Sequence, residues 1–123
     1  MKIVDRRALM EMPAGMIYFE GSEWDFHNLR VKGDTIRDNT GKGIDWGELD
    51  IADSVGKVYG ANTTNEEMFV LGESAYIQPD YYGRNGMFDD SDRFMVFEPK
   101  DLDILMQFCF NALLVWKNLG EEK

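Results

Sequence analysis

Cysteine, histidine and proline are scarce in this sequence, with one, one and three residues among 123. A single cysteine excludes an internal disulfide framework and a cysteine-rich zinc site. A single histidine excludes zinc motifs that need two histidines, such as the H-E-x-x-H helix. The glycine motifs of Walker loops, dinucleotide-binding turns and nucleophile elbows are absent from the sequence as well. We therefore expect no cofactor.

Positive charge is also in short supply. The 13 lysine and arginine residues stand against 23 aspartate and glutamate residues, which gives a formal net charge of −10. DNA, RNA and anionic membranes attract clustered cations, and the only dense basic cluster in the sequence, Lys2 with Arg6 and Arg7, is small. We expect no direct contact with nucleic acid or membrane, and a basic surface of a host protein or nucleoprotein as the partner. The same charge also favours solubility alone.

The length of the chain fits one domain that spans residues 1–123. Residues 1–11 include five charged side chains, so this stretch lacks the apolar core of a signal peptide. The most apolar segment, from Leu102 to Trp116, falls short of the ~20 residues that a membrane-spanning helix needs. These features predict a cytoplasmic location.

Short apolar runs separated by turn residues predict an α+β fold. The expected architecture is a small, mainly antiparallel curled sheet or partial barrel, with short helices and a long apolar C-terminal helix across it. Asp5 has the position of a helix N-cap, which predicts a short helix that begins at Arg6 and stops at Pro13. Gly33 and Asp34 are expected to end the third strand.

The C-terminal helix is predicted to begin near Pro99, because proline suits the first turn of a helix. Apolar residues recur along it at three- and four-residue spacing, at Leu102, Leu105, Cys109, Leu113 and Trp116. Other apolar residues occupy its remaining faces, and such a helix is buried in the core or covered by a partner. We favour the core, with Cys109 as an inert buried thiol. A homodimer through the helix between Leu102 and Trp116 is the alternative.

Residues 80–92 form the most distinctive segment, in which aromatic, arginine and acidic residues are mixed with glycine and asparagine. Tyrosine and arginine are common interface anchors, and long loops of this content are often functional. The predicted partner-binding residues are Tyr81, Tyr82, Arg84, Phe88, Asp89, Asp90 and Asp92. In the alternative interpretation, the aromatic side chains fold onto the core and Arg84 pairs with a local aspartate.

Catalytic chemistry finds little support in the sequence. His27 and Cys109 are far apart along the chain, and a reactive thiolate needs an electropositive, partly exposed setting. Asp89, Asp90 and Asp92, with Asp80 nearby, are ligands of the type that calcium and magnesium prefer. Their spacing does not match an EF-hand loop, and the capping of turns is the simpler role. We expect no catalytic residue and no metal site; a divalent-metal enzyme is the minority hypothesis.

Three stretches together resemble small phage and prophage proteins of unassigned function: VDRRALMEMPAGMIY at residues 4–18, LRVKGDT at residues 29–35 and GRNGMFDD at residues 83–90. The first has the pattern of a short capped helix, a Pro-x-Gly turn and a strand. The resemblance implies a phage or prophage context and carries no mechanism with it.

The leading hypothesis is a non-enzymatic acidic binding protein of phage or prophage type. It would inhibit a bacterial defence system by protein–protein contact, with complementary charge accelerating the encounter. One alternative is a protein that sequesters a small molecule such as a nucleotide, with Arg30, Arg37 or Arg84 meeting the phosphate. Another is an immunity or antitoxin-like protein.

Overall fold

A computed structural model of the protein describes residues 1–21, 25–52, 54–56, 70–80, 82–86 and 91–120. These residues form the predicted α+β fold. The elements, in chain order, are β1 (Lys2–Asp5), α1 (Arg6–Met10), β2 (Ile17–Gly21), β3 (Phe26–Arg37), β4 (Gly43–Asp50), β5 (Val55–Gly56), β6 (Tyr76–Ile77), β7 (Gly83–Arg84), β8 (Arg93–Val96) and α2 (Pro99–Asn118).

The main sheet has six strands in the order β1-β8-β2-β3-β4-β7, and every neighbouring pair is antiparallel. Strands β5 and β6 form a separate antiparallel pair. The described part of the sheet is curled. It is not closed into a barrel, because the outer strands β1 and β7 do not pair with each other. The expected antiparallel architecture is thereby confirmed.

Aromatic side chains dominate the core on one face of this sheet. The rings of Trp46 and Tyr18 each meet the ring of Phe94 edge-on, at centroid distances of 5.5 and 5.8 Å. Leu9 of α1 is fully buried in the same cluster. Edge-to-face packing of this kind is favourable beyond the apolar area it buries. The core therefore depends on long-range contacts between β2, β4, β8 and the short helix α1.

Helix α1 begins as predicted, because the Asp5 carboxylate accepts a hydrogen bond from the backbone N–H of Ala8 at 2.8 Å. It ends at Met10, earlier than expected. The backbone N–H of Met12 bonds instead to the carbonyl of Leu9 at 3.0 Å, which tightens the last turn. A residue that precedes proline is disfavoured in the α conformation, so the helix closes before Pro13 forces it to.

Strand β3 does not end at Gly33 and Asp34, so that prediction is wrong. The strand continues to Arg37, and a shift of register against β4 between Lys32 and Thr35 absorbs the glycine as a bulge. The Lys32 side chain is buried at this bulge, where its Nζ donates to Thr35 Oγ1 at 2.8 Å and to the Gly33 carbonyl at 3.1 Å. Burial lowers the pKa of this ammonium.

Helix α2 begins at Pro99 as predicted, but its expected place in the core is wrong. None of its twenty residues is buried. The apolar face of the sheet is already covered by α1 and by the half-buried side chains of Met10, Met12 and Met16. No residue of α2 belongs to the buried core cluster that the described residues form.

Candidate functional site

Helix α2 leaves the body of the protein after its first two turns. Leu102 and Leu105 are half-buried, whereas every residue from Met106 to Gly120 is exposed. Nine large apolar side chains each expose between 42% and 68% of their surface, and we call them the α2 surface: Ile104, Met106, Phe108, Phe110, Leu113, Leu114, Val115, Trp116 and Leu119.

The α2 surface is large enough to be an interface. Nine half-exposed side chains of this size offer on the order of 1,000 Å², and a standard interface buries about 800 Å² on each partner. After its first turn, the polar residues of the helix lie on one side, where Gln107 and Asn111 follow Asp103 at four-residue spacing. No helix among the described residues, α2 included, is long and apolar enough to cross a bilayer.

Polar contacts fix the start of α2 to the body of the protein. The Asp101 carboxylate accepts the backbone N–H of Glu98 at 2.9 Å and forms an ion pair with the amino group of Met1 at 2.7 Å. The hydrogen bond from that amine, followed by the one from the backbone, holds the pKa of Asp101 below its ordinary value. These contacts set the direction in which α2 projects.

A second polar feature lies beneath residues 82–86. The carboxylate of Asp45 is fully buried. It accepts hydrogen bonds from Arg6 Nη2 at 3.2 Å, from Arg84 Nε at 2.5 Å and from the backbone N–H of Gly86 at 3.0 Å. The backbone N–H of Trp46 donates to it at 2.9 Å. Two guanidinium groups and two amides therefore satisfy one buried carboxylate, whose burial would otherwise be costly.

Arg6 connects this carboxylate to the aromatic core. Its guanidinium lies over the Trp46 ring, 4.4 Å from the ring centroid, in a cation–π contact. Its Nη1 donates to Asn85 Oδ1 at 2.7 Å. Asn85 in turn donates through Nδ2 to Glu48 Oε1 at 2.9 Å, so the side chain of one asparagine links two clusters of charge.

The second cluster is centred on Glu48. Tyr18 donates its hydroxyl proton to Glu48 Oε1 at 2.6 Å and accepts Trp46 Nε1 at 3.0 Å. Burial, and then the charge of Glu48, raise the pKa of Tyr18 far above its ordinary value. Arg30 completes the cluster through ion pairs with Glu20 at 2.6 Å and with Glu48 at 3.6 Å. These acids have cationic or hydrogen-bonding partners inside the fold, which assigns them to structure.

The structure describes three of the seven predicted partner-binding residues. Tyr82 is exposed, and its ring lies over Gly33 in the bulge of β3. Arg84 is half-exposed, and its pairing partner is the distant Asp45, not a local aspartate. Asp92 is half-buried. The other four, Tyr81, Phe88, Asp89 and Asp90, lie outside the described residues.

The thiol of Cys109 is exposed on α2, so the expectation of a buried packing cysteine is wrong. The reason is the exposure of the whole helix. His27 lies on β3, and its Nδ1 is 3.8 Å from a carboxylate oxygen of Asp25. Within the described ranges, no group of three or more carboxylate, imidazole or thiol side chains is placed to hold a metal ion. Of the four aspartates in the metal hypothesis, Asp80 and Asp92 lie within those ranges, and Asp89 and Asp90 lie outside them.

Sequence reasoning missed two features of the site. The Asp45 cluster joins residues from three elements, α1, β4 and β7, and only the burial of a charged residue, invisible in the sequence, identifies it. The exposure of α2 contradicts the favoured interpretation, a core helix, because an all-apolar helix has the same pattern whether its own sheet or another chain covers it.

Comparisons with protein-family models, with curated proteins and with solved structures return no match for this chain. The resemblance to phage and prophage proteins therefore stays a prediction. The proposed function is therefore based on the geometry of α2 and of the charged clusters.

Proposed function

We propose that this protein is a non-enzymatic binding protein that acts by protein–protein contact, with α2 as its contact element. One observation supports this proposal above all: fifteen consecutive residues, 106–120, are exposed although most of the large ones are apolar. Full burial of a large apolar side chain contributes about 1.5–3 kcal/mol, so covering a half-exposed one contributes about half of that. A chain that leaves nine of them in water gains much by binding.

The occupant we assign to the α2 surface is a second copy of this chain. Between Ile104 and Trp116 the helix carries no charged residue, so two copies of α2 can pack without repulsion despite the net charge of −10. Each copy brings the same apolar surface, which makes the contact self-complementary. The homodimer that the sequence offered as an alternative becomes the preferred arrangement.

Charge favours an antiparallel pair of α2 helices. A parallel pair would set two bodies of charge −10 side by side. An antiparallel pair places them at opposite ends of a helix about 30 Å long, which exceeds the screening length of about 8 Å at physiological salt. It also brings the acidic first turn, with Asp101 and Asp103, to the end of the partner helix that carries Lys117.

The second part of the function is contact with a basic surface on another macromolecule. The acidic exterior steers such a partner and accelerates its encounter. Residues 80–92, with Tyr82 and Arg84 exposed at their described positions, are the segment we assign to that contact. Inhibition of a bacterial defence system by covering a basic site is the specific form we propose, in line with the phage-like resemblance.

We place the protein in the cytoplasm, where the exposed thiol of Cys109 would stay reduced.

Disulfide cross-linking tests the antiparallel pair. Cys109 lies at the middle of α2, and Leu105 and Leu113 lie four residues on either side of it. In a Cys109→Ser background, we expect a Leu105→Cys chain to cross-link to a Leu113→Cys chain when the two are mixed and oxidised. Neither variant alone should cross-link, because equal positions in an antiparallel pair are then about 12 Å apart and a disulfide needs less than about 7 Å. The opposite pattern would contradict the arrangement.

A salt-dependent pull-down tests the contact with a basic partner. The triple variant Asp89→Asn, Asp90→Asn and Asp92→Asn removes three charges from the proposed segment. Its matched control removes three exposed charges elsewhere, as Asp25→Asn, Asp34→Asn and Glu73→Gln. A basic bacterial protein that the wild type and the control retain at low salt, and that the segment variant loses, supports the proposal. Equal loss from both variants would assign binding to net charge alone and contradict the role of residues 80–92.

A further inference from the structure

An open cleft of about 460 Å³ lies between α1 and the turn that joins β3 to β4. Four cationic side chains line it: Arg6, Arg7, Arg37 and Lys42. Glu11 is the only acidic residue in the lining among those that the structure describes. A protein with 13 cationic and 23 anionic side chains thus gathers almost a third of its cations around one cavity.

Two of these cations are used by the fold. Arg6 is buried against Trp46 and Asp45, as described above. Arg37 donates through Nη2 to Glu11 Oε2 at 3.2 Å and through Nη1 to the Gly41 carbonyl at 3.0 Å. Both guanidinium groups therefore have fixed positions. Their charge is offset by Asp45 and Glu11.

The other two cations are available to a ligand. Neither the Arg7 guanidinium nor the Lys42 ammonium forms an ion pair with any residue that the structure describes, and both residues are exposed. The nearby Asp38 carboxylate caps the turn, where it accepts the backbone N–H of Lys42 at 3.1 Å and both donors of Thr40. The Asp38 carboxylate keeps its negative charge beside Lys42, so the cleft has a positive excess that Asp38 partly offsets.

The backbone of the turn gives the cleft its shape. Gly41 has a φ of +86°, a conformation that side chains disfavour. Gly43 lies so close to α1 that a Cβ there would stand 2.9 Å from Met10 Sδ and from Glu11 Oε1. The glycines let the turn approach α1 closely, while Met10 and Ile44 add an apolar wall. The charged and apolar walls are therefore built on paired strands and a capped helix.

We infer that this cleft binds a small organic phosphate, a phosphate monoester with an apolar group attached. A phosphate monoester carries a charge of about −1.5 to −2 at neutral pH, and a cleft lined by four cations and one carboxylate among the described residues attracts such an anion. Arginine recognises phosphate oxygens through paired N–H donors. The volume falls within the usual range of about 300–1,000 Å³ for small-molecule sites. Among the described residues, neither α2 nor residues 82–86 contribute to the lining of this cleft.

A calorimetric titration with phenyl phosphate tests this site on the full chain. We expect saturable binding of phenyl phosphate, and tighter binding than that of inorganic phosphate, because Met10 and Ile44 contact the ring. The double variant Arg7→Gln and Lys42→Gln should bind at least about tenfold more weakly, since each charge-assisted hydrogen bond contributes more than the equivalent of tenfold in affinity. Circular dichroism checks that the variant folds, as the exposure of both residues predicts.

The matched control removes the same charge outside the cleft, with Lys2→Gln and Lys100→Gln, both exposed residues. It should bind phenyl phosphate as the wild type does. Absence of saturable binding to the wild type, or equal weakening in both double variants, overturns the inference. Equal affinity for inorganic and phenyl phosphate contradicts the inference that Met10 and Ile44 bind the apolar group of the ligand. Tighter binding of a short single-stranded RNA than of phenyl phosphate would assign the cleft to a polyanion and also overturn the inference.

Discussion

Asp45 binds Arg84 across 39 residues of sequence, with Arg84 Nε 2.5 Å from the buried Oδ2. The carboxylate lies on β4 and the guanidinium on β7, at the edge of the sheet. This pair attaches residues 82–86, part of the proposed partner-binding segment, to the aromatic core. A surface segment is thereby held by a group that solvent does not reach.

Replacing Asp45 with asparagine should lower the free energy of unfolding by about 3–5 kcal/mol, the usual cost of breaking a buried ion pair. The amide keeps the shape of the carboxylate but removes the charge that faces Arg6 and Arg84. Urea unfolding measures the change. Arg84→Gln is the control, and it should cost only about 1 kcal/mol because the Arg84 side chain is half-exposed. Equal costs for the two variants would contradict a buried role for Asp45.

Replacing Tyr18 with phenylalanine should cost about 1–3 kcal/mol at neutral pH. The substitution removes the hydroxyl that accepts Trp46 Nε1 and donates to Glu48, and it leaves a buried indole N–H without an acceptor. Thermal or urea unfolding of the two proteins gives the difference. If the free energy of unfolding falls no more than in an exposed Tyr82→Phe variant, the hydrogen bonds of Tyr18 with Trp46 and Glu48 contribute nothing to stability.

The raised pKa of Tyr18 gives a pH dependence with a definite sign. Above pH 10 the unfolded tyrosine loses its proton while the folded one keeps it, so the stabilisation that Tyr18 provides falls as the pH rises. The stability difference between wild type and Tyr18→Phe should shrink by about 1 kcal/mol between pH 10 and pH 11. Urea unfolding at several pH values measures it, and a constant difference would mean that Tyr18 titrates normally in the folded protein.

Alanine at Gly21 should destabilise the protein by about 1–3 kcal/mol. A Cβ there would overlap the carbonyl oxygen of Asp25, in the connection between β2 and β3. Gly83→Ala on β7 is the matched control, because a Cβ at that position meets no atom within 4 Å; it should change stability by about 0.5 kcal/mol at most. Unfolding of the two alanine variants at the same urea concentration would contradict the close contact between Gly21 and the carbonyl oxygen of Asp25.

The sequence predicted features that depend on neighbouring residues, such as the starts of helices. It did not predict which surfaces are covered or which distant side chains pair. Asp5 and Pro99 act on residues within one turn, so their helix starts were predicted correctly. Gly33 resembled a strand end because the bulge that absorbs it depends on the register of β4. The partners of Arg6 are 39 and 79 residues away, and no spacing rule links such positions. The apolar stripe of α2 did not reveal which chain covers it.

Sedimentation equilibrium of the wild type and two variants tests most directly whether α2 joins copies of this chain. We expect the wild type to have a mass of at least two chains, falling to one chain in the Phe108→Glu, Trp116→Glu variant. The control variant, Gln107→Glu with Asn111→Glu, adds the same charge on the polar side of the helix and should keep the wild-type mass. A wild-type mass of one chain at every concentration, or dissociation of both variants alike, would contradict the account.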